Sequence, residues 1–263
     1  MIEFNVFPGG KKRVVTFSYD DGHANDERLV NLFNQYGVKG TFHVHGTLED
    51  GKDMTMLQKR YQGHEISCHT ARHGWGVRMP YQSVVEETLS NRSFLEKVAE
   101  YPVIGMSYPY GSYNEAVIEA MRACGIVYAR TTKSTMKFWM PESFMEWHPT
   151  CHHNDAQELT EKFVENSTLY RGGPLLYIWG HSYEFRTEED WGMMERLLNK
   201  LAEVDDIWYA TNFEIYQYVN AQKALIISAD ECCFYNPTSI SVWIQKNKKE
   251  IICVPAGERI GLN

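Results

Sequence analysis

The stretch Val14-Val15-Thr16-Phe17-Ser18-Tyr19-Asp20-Asp21-Gly22-His23 decides the fold. Five of its first six residues are β-branched or aromatic, which is the composition of a strand. It then ends on two adjacent carboxylates and a glycine. Like charges repel and aspartate is a poor strand former, so the pair reads as cargo that the strand delivers. The plainer alternative is a turn or helix-cap pair, since Asp-Asp-Gly also suits a turn.

Working outward, short apolar runs at 13–19, 40–45, 64–69, 103–108, 125–130, 174–180 and 206–211 predict strands. Between them apolar residues recur at helical spacing. One set is Leu29, Leu32, Phe33 and Tyr36; a second is Val84, Val85 and Leu89, followed by Phe94, Leu95 and Val98. A third is Trp191, Met194, Leu197, Leu198 and Leu201. Strands alternating with helices imply a parallel sheet covered by helices. Seven such units predict an α/β barrel of the TIM type with fewer strands. After residue 224 the pattern changes: the stretch 239–260 alternates apolar and polar residues around Lys246-Asn247-Lys248-Lys249, a hairpin signature. The chain therefore divides into a barrel, 1–223, and a small C-terminal β appendage, 224–263, packed on it and without catalytic residues.

At 263 residues, 43% of them hydrophobic and 23% charged, the chain has the composition of a soluble globular protein. Acidic residues outnumber basic ones 34 to 26, a net charge of -8, which argues against a nucleic-acid backbone as partner. No apolar run is long enough to span a bilayer. Residues 1–17 lack a basic segment followed by a long apolar one, and the six cysteines form no CxxC pair. The expectation is a cytoplasmic protein with reduced thiols, in which the sequons at Asn91 and Asn166 carry no meaning.

The polar residues fall at strand ends. Asp20 and Asp21 end the first predicted strand, and His43 and His45 the second. His69 and His73 follow the third and Tyr108-Pro109-Tyr110-Gly111 the fourth; Arg130 ends the fifth and His181 the sixth. In a parallel barrel these carboxyl ends gather on one face, where barrel enzymes keep their active sites. On a helical turn His69 and His73, four apart, would face the same way. Two imidazoles and one of the paired aspartates make a three-donor site for a divalent ion, with positions left open for water. The competing reading is two exposed loop histidines. A hydrolytic metal site needs one carboxylate to hold the ion and another to take a proton, and the ion's charge offsets the repulsion between the two.

"TFSYDDG", "HTARH", "YPYG" and "IWGHS" resemble, in order and spacing, the first, second, third and fifth motifs of the polysaccharide deacetylases, the NodB-homology enzymes of carbohydrate esterase family four. The resemblance covers roughly residues 13–220. It implies a distorted (β/α)7 barrel and removal of acetyl groups from N-acetylated sugars, or O-acetyl groups from xylan. It implies Asp20 as catalytic base and Asp21, His69 and His73 as ligands of one divalent ion. Zn²⁺ is the default, and Co, Ni, Mn or Fe also suit the donors. Tyr110 would offer its backbone N–H to the oxyanion, and His181 would protonate the leaving amine. The implied function is a hydrolase of carbon–nitrogen bonds acting on the N-acetyl group of an amino sugar, oligosaccharide or polysaccharide. The alternatives are a hydrolase of another small amide or an O-acetyl ester, and an impaired carbohydrate-binding relic.

The chain departs from the family pattern in several places. Ser18 and Tyr19 precede the aspartate pair, and Ser107 stands where the third motif has an Arg that pairs with the catalytic aspartate. Arg130 is the candidate replacement, against a surface ion pair. The fourth motif, which orients the histidine acid, is not evident; Trp147 and His148 lie in its region, and Glu184 offers a substitute carboxylate. Tyr110, Trp147, Trp179 and Glu184 are the candidate substrate contacts. His152 and His153 are read as bordering the pocket. One or both of His43 and His45 reach the cleft or sit in the core, and His23 and His64 are structural.

Overall fold

The computed structural model describes residues 1–165 and 173–262, so Asn166 of the second sequon lies outside the described residues. In chain order the elements begin β1 (Ile2–Glu3), β2 (Arg13–Asp20), α1 (Asp26–Gln35), β3 (Gly40–Val44), α2 (Met54–Arg60), β4 (Glu65–Cys68) and α3 (Tyr81–Ala99). They continue β5 (Gly105–Ser107), α4 (Glu115–Ala123), β6 (Tyr128–Arg130), β7 (Cys151–His152), α5 (Ala156–Glu165), β8 (Leu175–His181), α6 (Glu188–Ala202) and β9 (Ile207–Tyr209). The last are α7 (Asn212–Ala224), β10 (Ile226–Ile227), β11 (Cys233–Tyr235), β12 (Val242–Lys246), β13 (Glu250–Val254) and β14 (Arg259–Gly261). No helix among the described residues is long and apolar enough to cross a membrane.

The large sheet runs β6-β5-β4-β3-β2-β8-β7, with β9 beside the start of β2. All its pairings are parallel. Every residue of β2 is buried, as expected for a strand covered on both faces. The sheet curls into the distorted (β/α)7 barrel. One extended segment bridges its two edges. Trp147 donates its N–H to Ala129 O on β6 and accepts from Thr131 N–H. A few residues on, Cys151 and His152 pair with Ile178 and Trp179 of β8.

Here the structure corrects the strand count. The predicted seventh strand, 206–211, exists as β9 but lies off the main path, and the seventh strand of that path is β7. Two residues ending in a histidine leave no periodicity to read. A second correction concerns α3. Leu89, counted in its apolar stripe, is exposed, whereas Glu87, Thr88 and Asn91 are buried. The first half of this helix turns a polar face inward because it grips a loop.

The β12–β13 hairpin turns through residues 247–249, with Asn247 and Lys248 both at positive φ, the backbone of a type I′ turn. The chain's first strand joins this appendage, for β1 pairs antiparallel with β12. A second small sheet has the order β10-β11-β14. Phe234, Val242, Ile244 and Val254 form a separate apolar cluster, packed on Ala221 of α7.

Candidate active site

β2 delivers Asp20 into the barrel, where it pairs in register with His43 on one side and His181 on the other. The carboxylate is buried. One oxygen, Oδ1, accepts a hydrogen bond from Ser107 Oγ at 3.0 Å, and Oδ2 is paired with the Arg130 guanidinium. Arg130 is fully enclosed and lies 4.4 Å over the Trp179 ring. Burial alone would raise the Asp20 carboxyl. The guanidinium, helped by His69, His43 and His181, outweighs burial and holds it well below the usual carboxylate range. The sequence departures now have a reason. Ser107 supplies a hydroxyl where the family has a cation, and Arg130, one strand over and paired with Ser107, supplies the charge. Ser18 is the partner of His43: Nδ1 of that ring lies 3.3 Å from Cys68 O, which can only accept, so Nε2 accepts from Ser18 Oγ at 2.8 Å. Burial pushes His43 down to about 3, leaving it a neutral core histidine.

Asp21, at positive φ, turns out of the strand. Its Oδ1 lies 3.4 Å from both His69 Nε2 and His73 Nε2. The two histidines do not sit on a helical turn, which corrects that expectation. They belong to a loop with Thr70 and His73 at positive φ, clasped by α3. Asn91 Oδ1 accepts the His69 N–H at 3.0 Å while its Nδ2 donates to Val44 O and Gly46 O. Glu87, one turn earlier, accepts from Ala71 N–H through its carbonyl and from Arg72 N–H and Nη1 through its carboxylate. The rings still meet, with centroids 4.7 Å apart.

His69 Nδ1 donates to Ser107 O at 2.9 Å, with Ser107 Oγ at 2.7 Å, so the lone pair of neutral His69 is on Nε2. His69 Nε2 and Asp21 Oδ1 are both buried without a hydrogen-bond partner. Buried polar atoms are seldom left so, and these two face a common point with His73 Nε2, all three donors within 4.8 Å of one another. Two imidazole nitrogens and a carboxylate oxygen fit a divalent first-row ion.

His181 lies at the carboxyl end of β8. Its Nδ1 is 3.4 Å from Glu184 Oε2, and its backbone N–H donates to the same oxygen at 3.0 Å. Burial disfavours its charged form, but Glu184 and Asp20 prevail and raise its pKa. Tyr110, also at positive φ and 58% exposed, stacks on Trp75, with centroids 4.9 Å apart and planes 21° from parallel. A cleft of about 560 Å³ opens beside the cluster, lined by Asp21, His23, His45, Lys52, His73 and Tyr183 among others. His23, read as structural, therefore stands on its rim, as does His45. His64 is structural, accepting from Gly40 N–H. A larger hollow of about 690 Å³, lined by Phe138, Trp139 and His148 among others, shares no residue with the cluster.

Trp147 does not face this cleft. It is 0% exposed, enclosed by Tyr128, Phe144 and Tyr177; its aromatic spacing carries the barrel wall and leaves no face for a sugar. Trp179 supports Arg130. Residues that sequence reasoning missed are Ser107, seen only as a missing Arg, and Asn91, seen only as a sequon. An asparagine on the apolar face of a helix was the available signal.

Residues 8–129 match the family described as polysaccharide deacetylase. A peptidoglycan-N-acetylglucosamine deacetylase of Bacillus cereus is 24% identical over 116 residues, 43% of this chain and 54% of that protein, so the match spans about half the length of that relative. A Mycobacterium smegmatis protein assigned to the polysaccharide deacetylases superposes with a TM-score of 0.63 at 18% identity, covering 84% of this chain and 94% of that one. The Xyl-CE4 domain of a multidomain xylanase from the hindgut metagenome of Trinervitermes trinervoides gives 0.55 at 16% identity, covering 80% and 92%. The matched segment, residues 8–129, carries Asp20, Asp21, His69, His73 and Tyr110, and over that length this chain is similar to the polysaccharide deacetylase family.

Proposed function

We propose that this protein is a metal-dependent deacetylase that hydrolyses the acetamido group of an amino sugar, free or within an oligosaccharide or polysaccharide. The observation that carries the reading is the Asp20–Arg130 pair set beside Asp21 Oδ1 and His69 Nε2, buried without a hydrogen-bond partner, and the His73 nitrogen that faces the same point. Asp21, His69 and His73 would hold a divalent ion, Zn²⁺ first, which when bound supplies Lewis-acid polarisation of the acetyl carbonyl and a more acidic water. Asp20, kept ionised by Arg130 and aimed by Ser107, accepts a proton from the attacking water. The Tyr110 N–H lies in the first turn of a short 3-10 segment, Pro109–Gly111, where backbone donors lack helical partners; it donates to the developing oxyanion. His181, with its pKa raised, gives a proton to the departing amine nitrogen, the C–N bond breaks, and acetate leaves.

The test is acetate release from a panel of N-acetylated sugars, before and after chelation and after return of Zn²⁺. Turnover lost on chelation and restored by the metal is the expected result. No release from any acetamido sugar, alongside release from O-acetyl xylan, would move the reading to the ester.

A further inference from the structure

The cleft beside Asp21 and His73 carries a charge that the proposed reaction does not use. Lys52 lines it from the loop between β3 and α2. Its ammonium donates to His45 O at 2.7 Å. Gly46 lets it lie there, since a Cβ at that position would meet Lys52 Nζ at 2.9 Å. The loop is pinned, for Gly46 O accepts from Asn91 Nδ2 at 2.9 Å and Thr47 closes a capping box with Asp50. Glu49, Asp50 and Asp53 share this loop, but none of them lines the cleft. Asp50 accepts from Thr47 N–H at 2.8 Å through Oδ2 and from Thr47 Oγ1 at 3.1 Å through Oδ1. Asp53 caps α2, accepting from Met56 N–H at 3.1 Å. Among the described residues Lys52 forms no ion pair, and of its three donors only the one to His45 O is used. Burial pulls its pKa down, and Asp50, beyond ion-pair distance, works the other way. A half-buried cation without a counter-ion is a charge that a bound anion would satisfy.

We infer that the cleft takes an acetamido sugar that itself carries an anionic group, a carboxylate or a phosphate, and that Lys52 binds that group; this rests on the deacetylase reading. Asp21 and His73 line the same cleft, so a sugar with its acetamido group at those donors extends into it and brings another substituent to Lys52. A carboxylate or phosphate oxygen there accepts a charge-assisted hydrogen bond at both ends, stronger than the bond a sugar hydroxyl makes. The neighbouring carboxylates do not cancel this attraction. Asp20 is paired with Arg130, and Asp21 would be answered by the ion it holds. His23, His45 and Tyr183, the other polar side chains of the lining, bring no negative charge.

Acetate release from the Zn²⁺-loaded protein tests this, with N-acetylglucosamine set against its 6-phosphate, its C6 carboxylate (the uronic acid) and its 3-O-lactyl ether. The set separates phosphate from carboxylate. At least one charged sugar should exceed the neutral one in kcat/KM by about 10-fold, the scale of a hydrogen bond to a charged group, and added salt should shrink the margin. Lys52→Gln keeps a hydrogen-bond donor and loses the charge. The margin should then collapse, chiefly through a higher KM for the charged sugar, with Zn²⁺ content unchanged. Lys52→Glu should reverse the preference. If no charged sugar is preferred, or if Lys52→Gln weakens turnover of every sugar equally, Lys52 serves only the His45 carbonyl; the anion site is then overturned and the deacetylase reading stands. Ligand-observed NMR on the same sugars needs no turnover. Tighter binding of a charged sugar, lost in Lys52→Gln, upholds the anion site even if none of the sugars releases acetate, in which case only the deacetylase reading fails.

Discussion

Arg130 lies enclosed between Asp20 and Trp179, and the pair has consequences that pH can read. The folded Asp20 carboxyl lies below its unfolded value, so the stability it contributes is fully present above about pH 4 and is lost only as pH falls through the depressed folded value. Arg130→Met removes the largest of the groups that oppose burial and should raise the Asp20 carboxyl. The variant should lose about 3–5 kcal/mol at neutral pH, the usual penalty for a buried unpaired charge. The deficit should shrink as pH falls toward the raised pKa, because the neutral acid tolerates burial. Denaturant melts of both proteins at pH 8 and pH 5 check this, and a gap independent of pH would mean that Asp20 is not ionised in the fold. The acid limb of the pH–rate profile should rise as well, with metal content unchanged. Asp20→Asn keeps the shape of the side chain but cannot take a proton, so it should bind metal normally and lose about 10²–10⁴-fold in turnover. Near-normal turnover would assign the base elsewhere.

At the scale of elements, α3 is the clasp of the histidine loop. Glu87 touches no donor atom yet holds Arg72, between His69 and His73. Glu87→Ala should therefore weaken metal affinity about 10–100-fold, the range seen for outer partners of metal ligands. Competition with a chromophoric chelator measures this, and unchanged affinity would show that the loop holds its shape unaided. In β8, Gly180→Ala drives a methyl into a ring that Tyr19 and Phe185 prevent from moving. Overpacking of this kind costs about 1–3 kcal/mol, and a melting temperature lowered by several degrees is the expected result.

Across the whole molecule, the apolar clusters that hold the barrel together are built from residues other than the three donors. Chelated protein should therefore remain folded. An ion that binds only the native state adds about 4 kcal/mol when present at 1,000 times its Kd, so Zn²⁺ should raise the melting temperature of the apoprotein. His73→Asn removes a donor while keeping a residue type that tolerates positive φ, and it should abolish that rise. An equal rise in the variant would mean that the ion sits elsewhere.

Local pattern was enough to read the strand that ends on Asp20-Asp21, the alternation of β2 to β6 with helices, the hairpin at Asn247-Lys248, and the gathering of polar residues at strand ends. Each depends on periodicity, or on the rule that parallel strands align their carboxyl ends. What only the tertiary structure decided involves partners far apart in the chain. Arg130 meets Asp20 across 110 positions, and Asn91 reaches back to a histidine loop 22 positions earlier. β7 exists because two sheet edges needed bridging, which no window of sequence records. The tautomer that leaves His69 Nε2 free depends on the hydrogen bond from its Nδ1 to Ser107 O, and such bonds are assigned only once the chain has folded.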